Sequence, residues 1–264
     1  MSEYIGVFKR LRQRAEDARS KLRPRVFKPD APRTVRVDDI LVAIRVFGEG
    51  DPLFMIPAYV STMDQWDPDF LSRLAMHHTV VIQALGYERA HVLGWSIGGD
   101  IALCLAANHP ERVMKLVSYA GDCGGPQKIA APAYKEILKK LHGVQGVMMK
   151  DLLAALFPAW WMEAHPDYWK QFPVPRGIPN PLHIVQQDNA YESWEGVYDR
   201  LPDMRIPVMA LTGTEDDSTP PENARILAER LPDCKLVEFP GAGHGLQYMY
   251  PIGLANVIID FLGE

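Results

Sequence analysis

The sequence predicts an α/β fold, a mostly parallel, doubly wound sheet with an inserted helical segment. Three observations carry that prediction. Short apolar runs alternate with helical patterns at both ends of the chain, which is the signature of parallel strands joined by helices. The hexapeptide Gly94-Trp95-Ser96-Ile97-Gly98-Gly99 stands between one such run and one such helix. Between them, residues 122–203 break the alternation with prolines, short helical patterns and a concentration of aromatic side chains.

The elements follow in order. Strand-like runs at 34–37 and 41–47 are joined by Asp38-Asp39, and Gly48-Glu49-Gly50-Asp51-Pro52 is a turn cluster before a fully apolar strand at 53–56. A helix is expected over 68–77 and strands over 79–82 and 90–94. Ser96 opens a helix that runs to about 108, where His109-Pro110 closes it, and a strand follows at 113–120. Within 122–203, helices are expected at 133–141 and 150–157. Regular alternation returns with a strand at 207–212, a helix at 221–231, a strand at 235–239 and a final helix at 246–262. The expected division is a basic arm over 1–33, a core over 34–121 and 204–264, and a helical cap over 122–203.

Charge is distributed unevenly. Residues 1–36 hold eleven Lys and Arg against four Asp and Glu, a net +7, which leaves −12 on the rest of a chain whose formal charge is −5. In that basic stretch Ile5, Phe8, Leu11, Ala15, Ala18 and Leu22 recur every three or four residues, as on one face of a helix. Such a face suits the chain's own acidic body or a sister subunit, ahead of an anionic membrane surface. The acidic body and the lack of a recognition motif argue against nucleic acid as a partner. No apolar run is long enough to cross a bilayer. Three cysteines (Cys104, Cys123 and Cys234) without paired spacing read as reduced thiols, and the N-terminus lacks a signal-peptide core, so a cytoplasmic location is expected.

The pattern G-x-S-x-G is common by chance, and its setting is what gives it chemical meaning. At a strand-to-helix turn the serine is held in a cramped backbone conformation, so the residues two before and two after it must lack side chains. Gly94 and Gly98 meet that requirement. A nucleophilic serine needs a base, and the base needs an orienting acid. Of the eight histidines, His77, His78, His91, His109, His142, His165 and His183 sit at helix ends, at strand starts or in the proposed cap. His244 alone lies in a flexible Gly-Ala-Gly-His-Gly loop between a strand and the last helix. The acid should follow the preceding strand, where Thr212-Gly213-Thr214-Glu215-Asp216-Asp217 offers Asp216 ahead of Asp217; Asp122, after the strand at 113–120, is a third candidate.

Residues 34–264 resemble the α/β-hydrolase family through G-W-S-I-G-G-D-I-A-L, N-H-P-E-R-V, L-T-G-T-E-D and F-P-G-A-G-H-G, in that order. The resemblance implies Ser96 as nucleophile, Asp216 as orienting acid and His244 as general base. It also implies an oxyanion hole from the backbone N–H of Ile97 and of Tyr59 in the loop Pro57-Ala58-Tyr59. Relatives usually carry His-Gly at the start of that loop, and this chain does not. Trp66, in Met63-Asp64-Gln65-Trp66, is expected to pack rather than touch substrate. A second departure lies between the runs at 80–82 and 91–93. Only eight residues join them, where a parallel crossover usually needs a dozen or more with a helix. Relatives have a helix there ending much like Ala84-Leu85-Gly86-Tyr87. About 25 to 30 residues of a typical βαβ unit are missing, either omitted from the sequence as written or lost by the protein, and loss would uncover one face of the sheet.

The expected activity is hydrolysis of a small apolar carboxylic ester through an acyl-enzyme, with Trp160, Trp161, Trp169, Met148, Met149 and Phe157 of the cap around the substrate or in the cap's own core. A thioesterase, lactonase or carbon–carbon bond hydrolase would use the same residues, and the fold also serves as a non-catalytic receptor or scaffold. No metal or organic cofactor is implied, since no H-E-x-x-H, P-loop or dinucleotide fingerprint occurs.

Overall fold

A computed structural model describes residues 32–37, 40–59, 61–82, 87–131, 149–168, 172 and 181–264. Residues 1–31 of the basic arm, the expected helix at 133–141, Met148 and Trp169 lie outside the described residues.

Eight strands form the sheet: β1 (Arg33–Val37), β2 (Ile40–Phe47), β3 (Asp51–Ile56), β4 (His78–Ile82), β5 (Ala90–Trp95), β6 (Val113–Tyr119), β7 (Val208–Gly213) and β8 (Cys234–Phe239). Their order is 1-2-4-3-5-6-7-8, antiparallel from β1 to β4 and parallel from there onward. The central strands explain their own position. β7 is buried along its whole length and β5 along all but its first residue. Runs without polar alternation require cover on both faces, which a parallel sheet wrapped by helices supplies.

Alternate residues divide the core in two. Leu53, Met55, Val80, Leu93, Met209 and Leu211 face one side, with helices α1 (Pro68–Leu74) and α8 (Pro251–Gly263) packed on them. Ile56, Val92, Leu116, Val208 and Ala210 face the other, under α2 (Ile97–Asn108) and α6 (Glu222–Arg230). The start of α1 is written locally: the Asp67 carboxylate accepts the N–H groups of Asp69 and Phe70 at 2.9 and 3.0 Å, and Pro68 occupies the first helical position.

The expected single helix over 246–262 is two. A short helix α7 (Leu246–Met249) stops at Tyr250, whose backbone (φ −137°, ψ 53°) lies outside the helical region, and α8 begins at Pro251. Proline lacks the N–H that would continue the ladder and excludes the helical conformation from the residue before it. Between β6 and β7 lie α3 (Met149–Leu156), α4 (Ala159–Ala164) and α5 (Pro181–Ser193). Phe157 stacks on Trp161 at 4.3 Å and meets Tyr168 and Tyr248 edge-on, and Phe172 lies 4.9 Å from Tyr248. These rings join the inserted segment to the core beside α7.

Register accounts for the short connection between β4 and β5. Ile82 pairs with Met55 on one side of β3, and His91 pairs with Leu53 on the other. The ends to be joined are therefore about 14 Å apart, two strand spacings across and three residues along. Eight peptide steps reach about 27 Å, which is enough to cover that distance.

Candidate active site

Ser96 stands at the turn between β5 and α2 with φ 58° and ψ −127°, in a positive-φ region that non-glycine residues seldom occupy. The turn is held by Ser96 N–H donating to the Tyr119 carbonyl at 2.8 Å and Gly99 N–H donating to the Ser96 carbonyl at 2.7 Å. Both flanking glycines are required by contact. A Cβ at position 94 would lie 1.9 Å from the Gly98 carbonyl oxygen, and one at position 98 would lie 2.4 Å from that of Ile56. The Pro57 carbonyl oxygen lies 2.7 Å from the same Cβ, so the end of β3 and Pro57 abut the turn. Ile97 is the first residue of α2, so its N–H has no carbonyl partner within the helix.

His244 and Asp216 meet directly: Nδ1 lies 2.9 Å from Oδ2, with both side chains buried. The other carboxylate oxygen accepts the N–H groups of Ser218 and Thr219 at 2.9 and 2.8 Å, which locks the acid in place. Asp217 is exposed. The loop of His244 is anchored by its own carbonyl, which accepts from Trp95 Nε1–H at 3.2 Å and from the Tyr119 hydroxyl at 2.8 Å. Trp95 stacks on Tyr119 at 5.8 Å and lies 5.7 Å from the His244 ring. Because Trp95 is the residue before Ser96, the same platform carries the serine and the imidazole. Among the described residues no hydrogen bond joins Ser96 Oγ to His244. Burial holds the Tyr119 phenol well above its usual range, so it stays a donor to the loop.

Trp95 and Tyr119 were not among the expected site residues. Parallel register pairs them at the ends of β5 and β6, and no sequence motif announces that pairing. Trp66 packs as expected, 2% exposed and 5.8 Å from Trp95. Tyr59 donates its hydroxyl to Asp188 on α5. Trp161 and Phe157 are buried, while Trp160 is at the surface with its indole N–H donating to the Gly241 carbonyl at 3.1 Å.

Asp122, the third candidate acid, is committed elsewhere. Its backbone N–H donates to Asp100 Oδ1 at 2.7 Å, and its carboxylate accepts from Gly124 N–H at 2.7 Å and the Tyr191 hydroxyl at 3.1 Å. Burial, together with the neighbouring Asp122 charge, pushes the Asp100 carboxyl well above the usual range, and burial raises Asp122 too. All three cysteines are unpaired, and burial pushes the thiols of Cys123 and Cys234 up to about 11. Among the described residues no cluster of three or more His, Cys, Asp or Glu is placed to hold a metal ion, and no helix is long and apolar enough to cross a membrane.

A mostly parallel eight-stranded sheet with a strained serine turn and a His–Asp pair at its strand ends is the arrangement of a hydrolase scaffold. The alpha/beta hydrolase fold model matches residues 62–249, and the chain belongs to that family. It is 30% identical over 200 residues to RutD of Caulobacter sp. (strain K31), a protein named for carbamate hydrolysis, the match covering 74% of each chain. It is 28% identical over 202 residues to a 2-hydroxy-6-oxononadienedioate/2-hydroxy-6-oxononatrienedioate hydrolase of Paraburkholderia phymatum, covering 70% of this chain and 66% of the relative. Among solved structures, the enol-lactonase of Burkholderia xenovorans LB400 superposes with a TM-score of 0.74 at 17% identity, over 88% of this chain and all of that one. The fold is therefore shared well beyond the reach of sequence identity.

Proposed function

We propose that the protein is a serine hydrolase of small apolar carboxylic esters, with Ser96 as nucleophile, His244 as general base and Asp216 as orienting acid. The observation that carries this reading is the 2.9 Å contact between His244 Nδ1 and Asp216 Oδ2, on the loop whose carbonyl is held by Trp95 and Tyr119 beside the serine turn. An ionised carboxylate only accepts, so the imidazole proton sits on Nδ1 and Nε2 keeps its lone pair. Nε2 takes the Ser96 proton as Oγ attacks the carbonyl carbon. The backbone N–H groups of Ile97 and Tyr59 hold the developing oxyanion. His244 then gives the proton to the departing alcohol, and the same nitrogen activates the water that releases the acid. In this reading residues 122–203 act as the cap, and their aromatic cluster favours an apolar acyl or alcohol group.

Cleavage of a carbon–carbon bond is the second reading, because one relative at 28% identity is named for the hydrolysis of a 2-hydroxy-6-oxo-dienedioate. The same serine and histidine would serve it, with a ketone carbonyl as the point of attack. Labelling with a fluorophosphonate tests the common core: the wild type reacts at Ser96, and Ser96→Ala does not. A folded protein that resists the probe would instead be a non-catalytic receptor or scaffold. Rates on a panel of esters, thioesters, lactones and vinylogous diketones then rank the substrate classes.

A further inference from the structure

The loop after β3 is held at two ends. Pro57 has no N–H, and Ser61 N–H closes a turn onto the Ala58 carbonyl at 3.0 Å. Tyr59 is the second residue of that turn, so the closing bond does not use its N–H. The inner end of the loop meets the serine turn, where the carbonyls of Ile56 and Pro57 approach Gly98. The outer end is reached from the inserted segment: the Tyr59 hydroxyl donates to Asp188 Oδ1 of α5, 129 residues along the chain. Asp188 is fixed in turn. One turn further along α5 the Tyr191 hydroxyl donates to Asp122 Oδ2 at 3.1 Å, and Lys128 Nζ lies 3.8 Å from the centre of the Tyr191 ring. Just past the helix, Val197 N–H donates to the Cys123 carbonyl at 2.7 Å. These partners lie in the segment that follows β6, the strand whose Tyr119 carbonyl accepts Ser96 N–H. Asp188 is therefore anchored on the strand that holds the serine turn, and it grips the loop on the other side of that turn.

We propose that Asp188 is a positioning residue: by holding the Tyr59 hydroxyl, it sets where the Tyr59 backbone N–H stands in the oxyanion hole. The proposal rests on the serine hydrolase reading above and adds a residue that acts through Tyr59. The physical reason is stiffness. A donor stabilises an oxyanion only when it is in place before the charge develops, and a surface turn has little stiffness of its own. A phenol donating to a carboxylate makes a charge-assisted hydrogen bond, roughly twice as strong as one between neutral groups. Tyrosine has only two side-chain torsions, so fixing its hydroxyl restrains the backbone that bears it. Helix α5 then does more than shape a pocket: it completes the machinery for the oxyanion. A donor displaced by about 1 Å can cost about a hundredfold in rate.

The test follows inactivation of the full-length protein by a fluorophosphonate over a range of concentrations, which separates the maximal rate kinact from the binding constant KI. In that reaction the bond from Ser96 Oγ to phosphorus forms, fluoride leaves, and the serine proton passes to His244. The phosphonyl oxygen takes the oxyanion position. Asp188→Ala and Tyr59→Phe should each lower kinact by about ten- to hundredfold, with KI within about twofold of the wild type. The double variant should be no slower than either single one, because both substitutions cut the same link. Asp188→Asn keeps an acceptor for the phenol and should recover most of the rate. Melting temperatures check that each variant is folded, and Tyr59→Phe, which loses only the hydroxyl, carries the test if Asp188→Ala unfolds. Wild-type kinact in the single variants, or losses that multiply in the double variant, would overturn the proposal. A change confined to KI would do the same and assign Asp188 to the shape of the pocket. A folded wild type that resists the probe would overturn the serine reading itself, and the tether with it.

Discussion

Individual side chains carry the tightest constraints in this molecule. Asp216 accepts three hydrogen bonds while buried, one of them from His244. Replacing it with Asn keeps the shape but presents an amide that favours the wrong imidazole tautomer. If the proposed triad operates, Asp216→Asn should lower kcat by about four orders of magnitude, with the melting temperature as a control for folding. Asp100 behaves in the opposite sense. Its carboxyl is held above its ordinary value by burial and by the Asp122 charge, so the folded state binds its proton more tightly than the unfolded chain does. The stabilisation is complete below the ordinary value of 3.8 and is lost as pH rises towards the raised folded value. Asn can still accept the Asp122 N–H through Oδ1. Asp100→Asn should therefore raise stability by about 1–2 kcal/mol at pH 8 and by nothing near pH 3, read from thermal melts at the two pH values. At this scale the sequence was legible wherever the cause is local. Gly94 and Gly98 follow from the turn at Ser96. Asp216 and His244 follow from their positions after successive strands.

Elements show where that legibility ends. Asp67 and Pro68 mark the start of α1 within a few residues; Pro251 acts as locally, yet the expected single helix over 246–262 passed over it. The inserted segment depends on partners distant in the chain. Phe157 is 3% exposed and meets Trp161, Tyr168, Phe172 and Tyr248. Truncation to alanine removes the centre of that cluster and should cost about 3–5 kcal/mol, seen as a lowered denaturation midpoint. Helix α5 is tied at one turn to the loop after β3, through Asp188 and Tyr59, and at the next to the loop after β6, through Tyr191 and Asp122. Nothing in the local pattern of α5 marks those two residues, because each partner comes from a loop more than sixty residues earlier.

For the whole molecule, strand order governs both stability and surface. β4 and β5 straddle β3, and this brings His78 and His91 to an edge-on contact 5.8 Å apart, both buried. Burial lowers His78 below the ordinary 6.5, and burial with the neighbouring His78 lowers His91 to about 4. The unfolded chain thus takes up protons before the folded one does. Stability from this pair is complete above pH 6.5 and declines as pH falls from 6.5 towards 4. Thermal melts between pH 7 and pH 4 should show that decline, and His91→Phe should flatten it. The same strand order brings the ends of β4 and β5 within reach of an eight-residue link, and a cavity of about 480 Å³ is lined by Phe54 of β3 and Val92 of β5.

The sequence by itself determined the α/β class, the succession of strands, the strained serine turn and the strand-end positions of Asp216 and His244. Each depends on contacts within a few residues or on hydrophobic period, and both are written along the chain. Tertiary structure decided that β3 lies between β4 and β5, that Trp95 and Tyr119 hold the histidine loop, and that Asp122 pairs with Asp100 rather than with His244. Those outcomes depend on which strands become neighbours and in what register, and that is settled only when the whole sheet buries its two faces together.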